Sequence, residues 1–73
     1  MQQVEFSLTG EYIALHSLLK VTGVSDSGGG GKMIVASGAV NVDGKVELRK
    51  ACKIRAGQVV TLGDVRINVV AAV

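Results

Sequence analysis

Residues 38–55 read Gly38-Ala39-Val40-Asn41-Val42-Asp43-Gly44-Lys45-Val46-Glu47-Leu48-Arg49-Lys50-Ala51-Cys52-Lys53-Ile54-Arg55. Val40–Val42 and Lys45–Leu48 are short β-prone runs. The Asp43-Gly44 pair between them predicts a two-residue hairpin turn with positive φ at both positions. Continued with period two, the return path puts Val46, Leu48, Cys52 and Ile54 on one side and Lys45, Arg49, Lys53 and Arg55 on the other. The first side suits a core. The second offers a row of cations to something negatively charged. Five of the eight Lys and Arg residues lie in this return path, with Glu47 as the one acid among them. Such clustering points toward nucleic acid.

Working outward, the charge is uneven. Residues 1–31 carry Lys20 against Glu5, Glu11 and Asp26, while residues 32–73 carry seven bases against Asp43, Glu47 and Asp64. A net charge of +2 therefore conceals a basic C-terminal half. Seventy-three residues make one domain, 1–73, near the lower limit for folding without metals or disulfides. Nearly half of the chain is apolar, which suits a small core. The single Cys52 has no internal disulfide partner and reads as a small buried hydrophobe, in keeping with a reducing, cytoplasmic setting. No apolar run approaches the ~20 residues that cross a bilayer, and the first residues lack the pattern of a secretory signal. A membrane partner is not expected.

The remaining elements follow from periodicity and punctuation. Val4–Leu8 alternate and predict a first strand. Thr9 is a candidate N-cap for a helix through Lys20, with Tyr12, Leu15, Leu18 and Leu19 on its apolar face and Gly23 as its stop. Ser25 or Ser27 can cap a second helix that reaches about Ser37 and ends at Gly38, burying Met33, Ile34 and Ala36. After the hairpin, Ala51–Arg55 are extended and Gly57 marks a turn. Val59–Leu62 and Val65–Val70 flank a second hairpin signal at Gly63-Asp64, with Val65, Ile67 and Val69 inward and Arg66 and Asn68 outward.

The glycine run Ser27-Gly28-Gly29-Gly30-Gly31-Lys32 invites comparison with a phosphate-binding P-loop. The pattern fails, because Asp26 stands at the first Gly position and Met33 at the hydroxyl position that would hold Mg²⁺. The run admits three readings: a flexible loop, close packing of one helix on the other, or bare amides that accept a phosphate at a helix start, with Lys32 nearby. His16 has no ligand-type neighbour at metal spacing, so no metal and no cofactor is expected. No Ser/His/Asp arrangement is supported, and no catalytic residue is assigned. The two aromatics, Phe6 and Tyr12, read as core or core-edge residues, which argues against base stacking on an exposed sheet.

The order helix, turn, helix starting near Ser27, then Val-x-Val-x-Gly and a basic strand resembles the alpha-L RNA-binding motif. This is the module of the fourth small-subunit ribosomal protein, also found in pseudouridine synthases and tyrosyl-tRNA synthetases. Leu15, Leu19, Gly23, Ser27, Gly38, Val40, Val42, Gly44 and Gly57 carry the spacing, over about residues 12–62. Three positions depart from the family pattern. Ala14-Leu15-His16 stands where Arg-Leu-Asp is frequent, Gly28 where an Arg commonly follows the helix-two serine, and Gln58 where an Asp often follows the late glycine. The chain looks closer to the small free-standing bacterial branch, which it resembles in Val-Asp-Gly and in Glu47, Arg49, Lys50, Lys53 and Ile54.

The expected fold is α+β, two helices packed on a small antiparallel β layer. The resemblance implies a non-catalytic, ribosomal-protein-like module that recognises structured RNA, with ribosomal RNA first in view. The expected contacts are Ser27, Gly28, Gly29, Lys32, Lys45, Arg49, Lys50, Lys53 and Arg55. The expected state is a monomer with no small-molecule substrate. The alternative is a ribosome-associated interaction module whose basic face meets an acidic protein surface.

Overall fold

The structure is a computed structural model that describes residues 2–25 and 28–72. In chain order its elements are β1 (Gln2–Leu8), β2 (Ile13–Ala14), α1 (Leu15–Val21), α2 (Gly28–Ala36), β3 (Val40–Val42), β4 (Lys45–Val46), β5 (Lys53–Ile54), β6 (Val59–Leu62) and β7 (Val65–Ala71). Five strands form one sheet in the order β1-β7-β6-β3-β4, and β2 and β5 pair separately. This is the expected α+β arrangement of two helices with a small sheet. Its antiparallel part, β7-β6-β3-β4, is extended by β1, which lies parallel to β7. The sheet is therefore mixed.

The core joins Leu15, Leu18 and Leu19 of α1, Val35 of α2, Val40, Val60, Ile67 and Val69 of the sheet, Ile54 of β5, and Leu8 at the end of β1. Each such side chain contributes on the order of 1.5–3 kcal/mol when fully buried. Spacing three and four along α1 places its three leucines on one stripe. On β7, Ile67 and Val69 are buried and Arg66 is exposed, as alternation requires.

Helix α1 starts later than expected. Ile13 and Ala14 pair with Ile54 and Lys53, so the chain is extended where the apolar spacing suggested helix. Thr9 is thus not the cap. Ala14 holds that position with extended φ/ψ and no side-chain bond. The orphan amides of the first turn go instead to a distant loop: Leu15 N–H donates to the Cys52 carbonyl at 2.9 Å, and His16 N–H to the Lys50 carbonyl at 3.0 Å. A tertiary contact sets the helix start here, and local sequence could not reveal it.

Helix α2 buries a different face from the one expected. Val35 is fully buried and Ile34 packs against the core, while Met33 is 75% exposed and Ala36 is exposed. The reason is Gly31. A Cβ built there would stand 2.8 Å from the His16 carbonyl oxygen and 3.2 Å from Ser25 Oγ. Gly31 is therefore a point of close approach between the helices, and Val35, one turn on, continues that seam. Of the three readings of the glycine run, close helix packing is the one this geometry matches at Gly31. Ser27, a candidate cap and candidate contact, lies outside the described residues.

The hairpin forms as expected. Asp43 and Gly44 have φ of 53° and 84°, the signature of a type I′ turn. A Cβ on Gly44 would meet nothing within 4 Å, so a substitution there costs through backbone conformation alone. Gly44→Val is expected to destabilise the fold by ~1 kcal/mol or more, because a β-branched residue resists positive φ. A lowered urea midpoint would show this, and an unchanged one would count against the turn.

The return strand is shorter than expected. Pairing ends after Asn41↔Val46, apart from a bond from Glu47 N–H to the Val40 carbonyl at 2.9 Å. Residues 47–52 are irregular. Alternation therefore does not carry through, and Val46 and Leu48, expected on the core side, are 59% and 60% exposed. Leu48 instead lies over Gly38, where a built Cβ would come within 3.8 Å of Leu48 Cδ2.

Candidate functional site

Residues 49–55 leave the hairpin, cross the start of α1 and enter β5. The segment is pinned at both ends. A turn closes by Cys52 N–H to the Arg49 carbonyl at 3.1 Å, and the Lys50 and Cys52 carbonyls hold α1. At the far end, Ile54 is fully buried and flanked by exposed Lys53 and Arg55. Anchoring the apolar residue forces its two basic neighbours outward.

Arg49, Lys50, Ala51, Cys52 and Lys53 line an open surface depression. Lys50 belongs to it although strict alternation placed that residue on the opposite side. The irregular backbone is the reason. Lys45 on β4 and Lys32 on α2 are exposed but do not line the depression. Gly28 and Gly29 open α2.

Arg49 is not a free cation. Its Nε and Nη2 donate to Glu47 Oε2 and Oε1 at 3.0 and 3.1 Å, and its backbone N–H donates to Oε2 at 3.0 Å. The fork is bidentate, the stronger form of such pairs. The arginine side chain is 79% exposed and the glutamate 17%. The guanidinium and amide of Arg49 hold the Glu47 carboxyl down at about 2. Glu47 is therefore ionised throughout the neutral range, and Arg49 carries a built-in counter-ion. The sequence marked Glu47 as the lone acid in the basic run. Its spacing of two from Arg49 on one side of an extended chain is the signal that could have paired them.

Asp43 braces the site from below. Its carboxylate accepts from the Gln58 amide and the Val59 backbone N–H, each at 3.0 Å. Those two donors, Gln58 first, lower its pKa. Gln58 Oε1 in turn accepts the Arg55 backbone N–H at 2.7 Å. The hairpin tip, the Gly57 turn and Arg55 are thus joined through Gln58, at the position where the resemblance noted a departure.

Tyr12 also departs from its expected place. It stands 46% exposed just before β2, not on a helix face. Lys53 Nζ lies 4.9 Å from its ring centroid and Arg55 Cζ 6.0 Å. Cys52 is half-buried, and burial, with the Glu47 carboxylate beside it, pushes its thiol up and away from the reactive thiolate. Among the described residues no group of three or more His, Cys, Asp or Glu is placed to hold a metal ion, and no helix is long and apolar enough to cross a membrane.

The S4 domain family matches residues 6–70, nearly the whole chain, and the chain belongs to this family. Two curated relatives are each 48% identical over 60 residues, covering 82% of this chain and 86% of theirs. They are "Putative RNA-binding protein YbcJ" of Escherichia coli (strain K12) and "Uncharacterized protein YbcJ" of Shigella flexneri. The solution structure of YbcJ from E. coli, described as revealing an alfaL motif involved in RNA-binding, superposes with a TM-score of 0.67. It is 42% identical, and the match covers 97% of this chain and 89% of that one.

Proposed function

We propose that this chain is a non-catalytic RNA-binding protein that recognises structured RNA, ribosomal RNA being the first candidate, through Lys50, Lys53 and Arg55. One observation carries the reading: these three exposed cations lie together on a pinned segment, and among the described residues none is in an ion pair. The S4 fold and the description of YbcJ support it. Lys32, Lys45 and the Gly28 and Gly29 amides are secondary contacts toward the edge of the same footprint. Arg49 joins once phosphate replaces Glu47 as its partner. Phosphate contacts position a protein on RNA without reading sequence, so recognition rests on shape.

Glu47 then acts as a brake on affinity. Glu47→Gln keeps an acceptor for the Arg49 amide and removes the counter-charge. It should strengthen RNA binding several-fold and steepen the log–log salt slope by ~0.7–0.9, the value of one added phosphate contact. Affinity measured at three or more salt concentrations checks this. Competition separates RNA from an acidic protein surface. Structured RNA should displace labelled RNA from the full chain where polyglutamate at equal charge does not. Displacement by polyglutamate with no competition from RNA would replace this reading with a protein-interaction module.

A further inference from the structure

Phosphate binding leaves Tyr12 unexplained. Its environment follows from register. Ile13 opposes Ile54 and Ala14 opposes Lys53 in the β2–β5 pair, so one step outward Tyr12 opposes Arg55. Ile54 goes into the core, and Tyr12, Lys53 and Arg55 share the outer side. The result is a half-exposed aromatic ring with two cations over it, at 4.9 and 6.0 Å. Lys53 also lines the depression with Lys50, so the ring sits at the border of the basic surface.

An exposed aromatic ring under two long, flexible cationic side chains suits one nucleotide whose base is out of its helix. The cations swing off the ring onto the flanking phosphates, and the base stacks in their place. A base within a continuous helix has both faces covered by its neighbours and offers no surface to such a ring. We infer that Tyr12, Lys53 and Arg55 form a docking site for a single unpaired nucleotide, and that this site makes the chain prefer RNA helices interrupted by a bulge over continuous ones. The inference rests on the RNA-binding reading and specifies the class of RNA.

The chain's composition makes the test direct. It holds one tyrosine and no tryptophan, so its tyrosine emission reports on Tyr12 alone. Two blunt RNA duplexes, identical except for a single-nucleotide bulge, are titrated against the full chain and its Tyr12→Phe and Tyr12→Ala variants. The bulged duplex should quench the emission and bind about tenfold more tightly, within the range of one stacked base. Tyr12→Phe should keep that preference. Tyr12→Ala should lose it while binding the continuous duplex as before. Equal binding of both duplexes by the unmodified chain overturns the site. So does an equal loss on both with Tyr12→Ala, which would make the ring only a support for Lys53 and Arg55. Binding of neither duplex, with quenching by polyglutamate instead, overturns the RNA reading itself and assigns the ring to a protein interface.

Discussion

Replacing Lys50, Lys53 and Arg55 together by Gln is expected to weaken binding to structured RNA by about 100-fold at about 0.15 M salt, with little change in stability. Each phosphate contact contributes ~0.7–0.9 to the salt slope, so three contacts remove ~2–3 units. Extrapolated from 1 M to about 0.15 M, that is roughly two decades of affinity. The three side chains are exposed, and substitutions at exposed positions away from special features usually cost little. The loss should be similar across RNA sequences, since phosphates carry no sequence information. Arg49 is left out of the triple deliberately: with Glu47 chelating it, its removal alone should matter less than that of any of the three. A triple variant whose affinity and slope both match the unmodified chain would remove the site.

Gly31→Val is expected to destabilise the chain severely. Even a methyl group would lie 2.8 Å from a backbone carbonyl oxygen, that of His16, and backbone cannot swing aside as a side-chain tip can. The helices would have to separate. Overpacking of this kind costs ~1–3 kcal/mol or more, against which the helix-propensity gain over glycine is under ~1 kcal/mol. A domain of this size has little stability to lose. Gly31→Ala should lower the thermal midpoint, and Gly31→Val should leave the chain largely unfolded by circular dichroism. The helix separation would also disturb His16, whose N–H is capped by the Lys50 carbonyl. The seam between the helices is thereby tied to the loop at residues 49–52. An alanine variant as stable as the parent would count against the close approach at Gly31.

The parts of the fold written in local sequence were legible. The hairpin at Asp43-Gly44 was read from a turn signature with a stringent backbone requirement, and both φ values are positive. The β6–β7 hairpin, the leucine stripe of α1 and the outward Arg66 were read from periodicity. What failed had non-local causes. Apolar spacing alone makes the first helix too long, because pairing of Ile13 and Ala14 with Ile54 and Lys53 competes with helix there. Hydrophobicity finds Ile34 on the core face of α2 but misses Val35, because a glycine, which has no hydrophobicity to detect, makes a close contact with α1 there. Alternation alone makes the basic segment one continuous strand. Its middle is instead an irregular cap over α1, which exposes Leu48, admits Lys50 and folds Glu47 onto Arg49. The cluster of candidate cations was visible as composition. Which of them are unpaired, and that Tyr12 stands among them, depended on that backbone path.

The most direct test of the proposed surface is an amide chemical-shift map of the ¹⁵N-labelled full chain titrated with a structured ribosomal RNA fragment. The largest changes are expected along residues 49–55 and at Tyr12 through Ala14, with smaller ones at Lys32 and Lys45, and little along β1. Strong, saturable changes on β1 and at Arg66 of β7, with residues 49–55 silent, would contradict it.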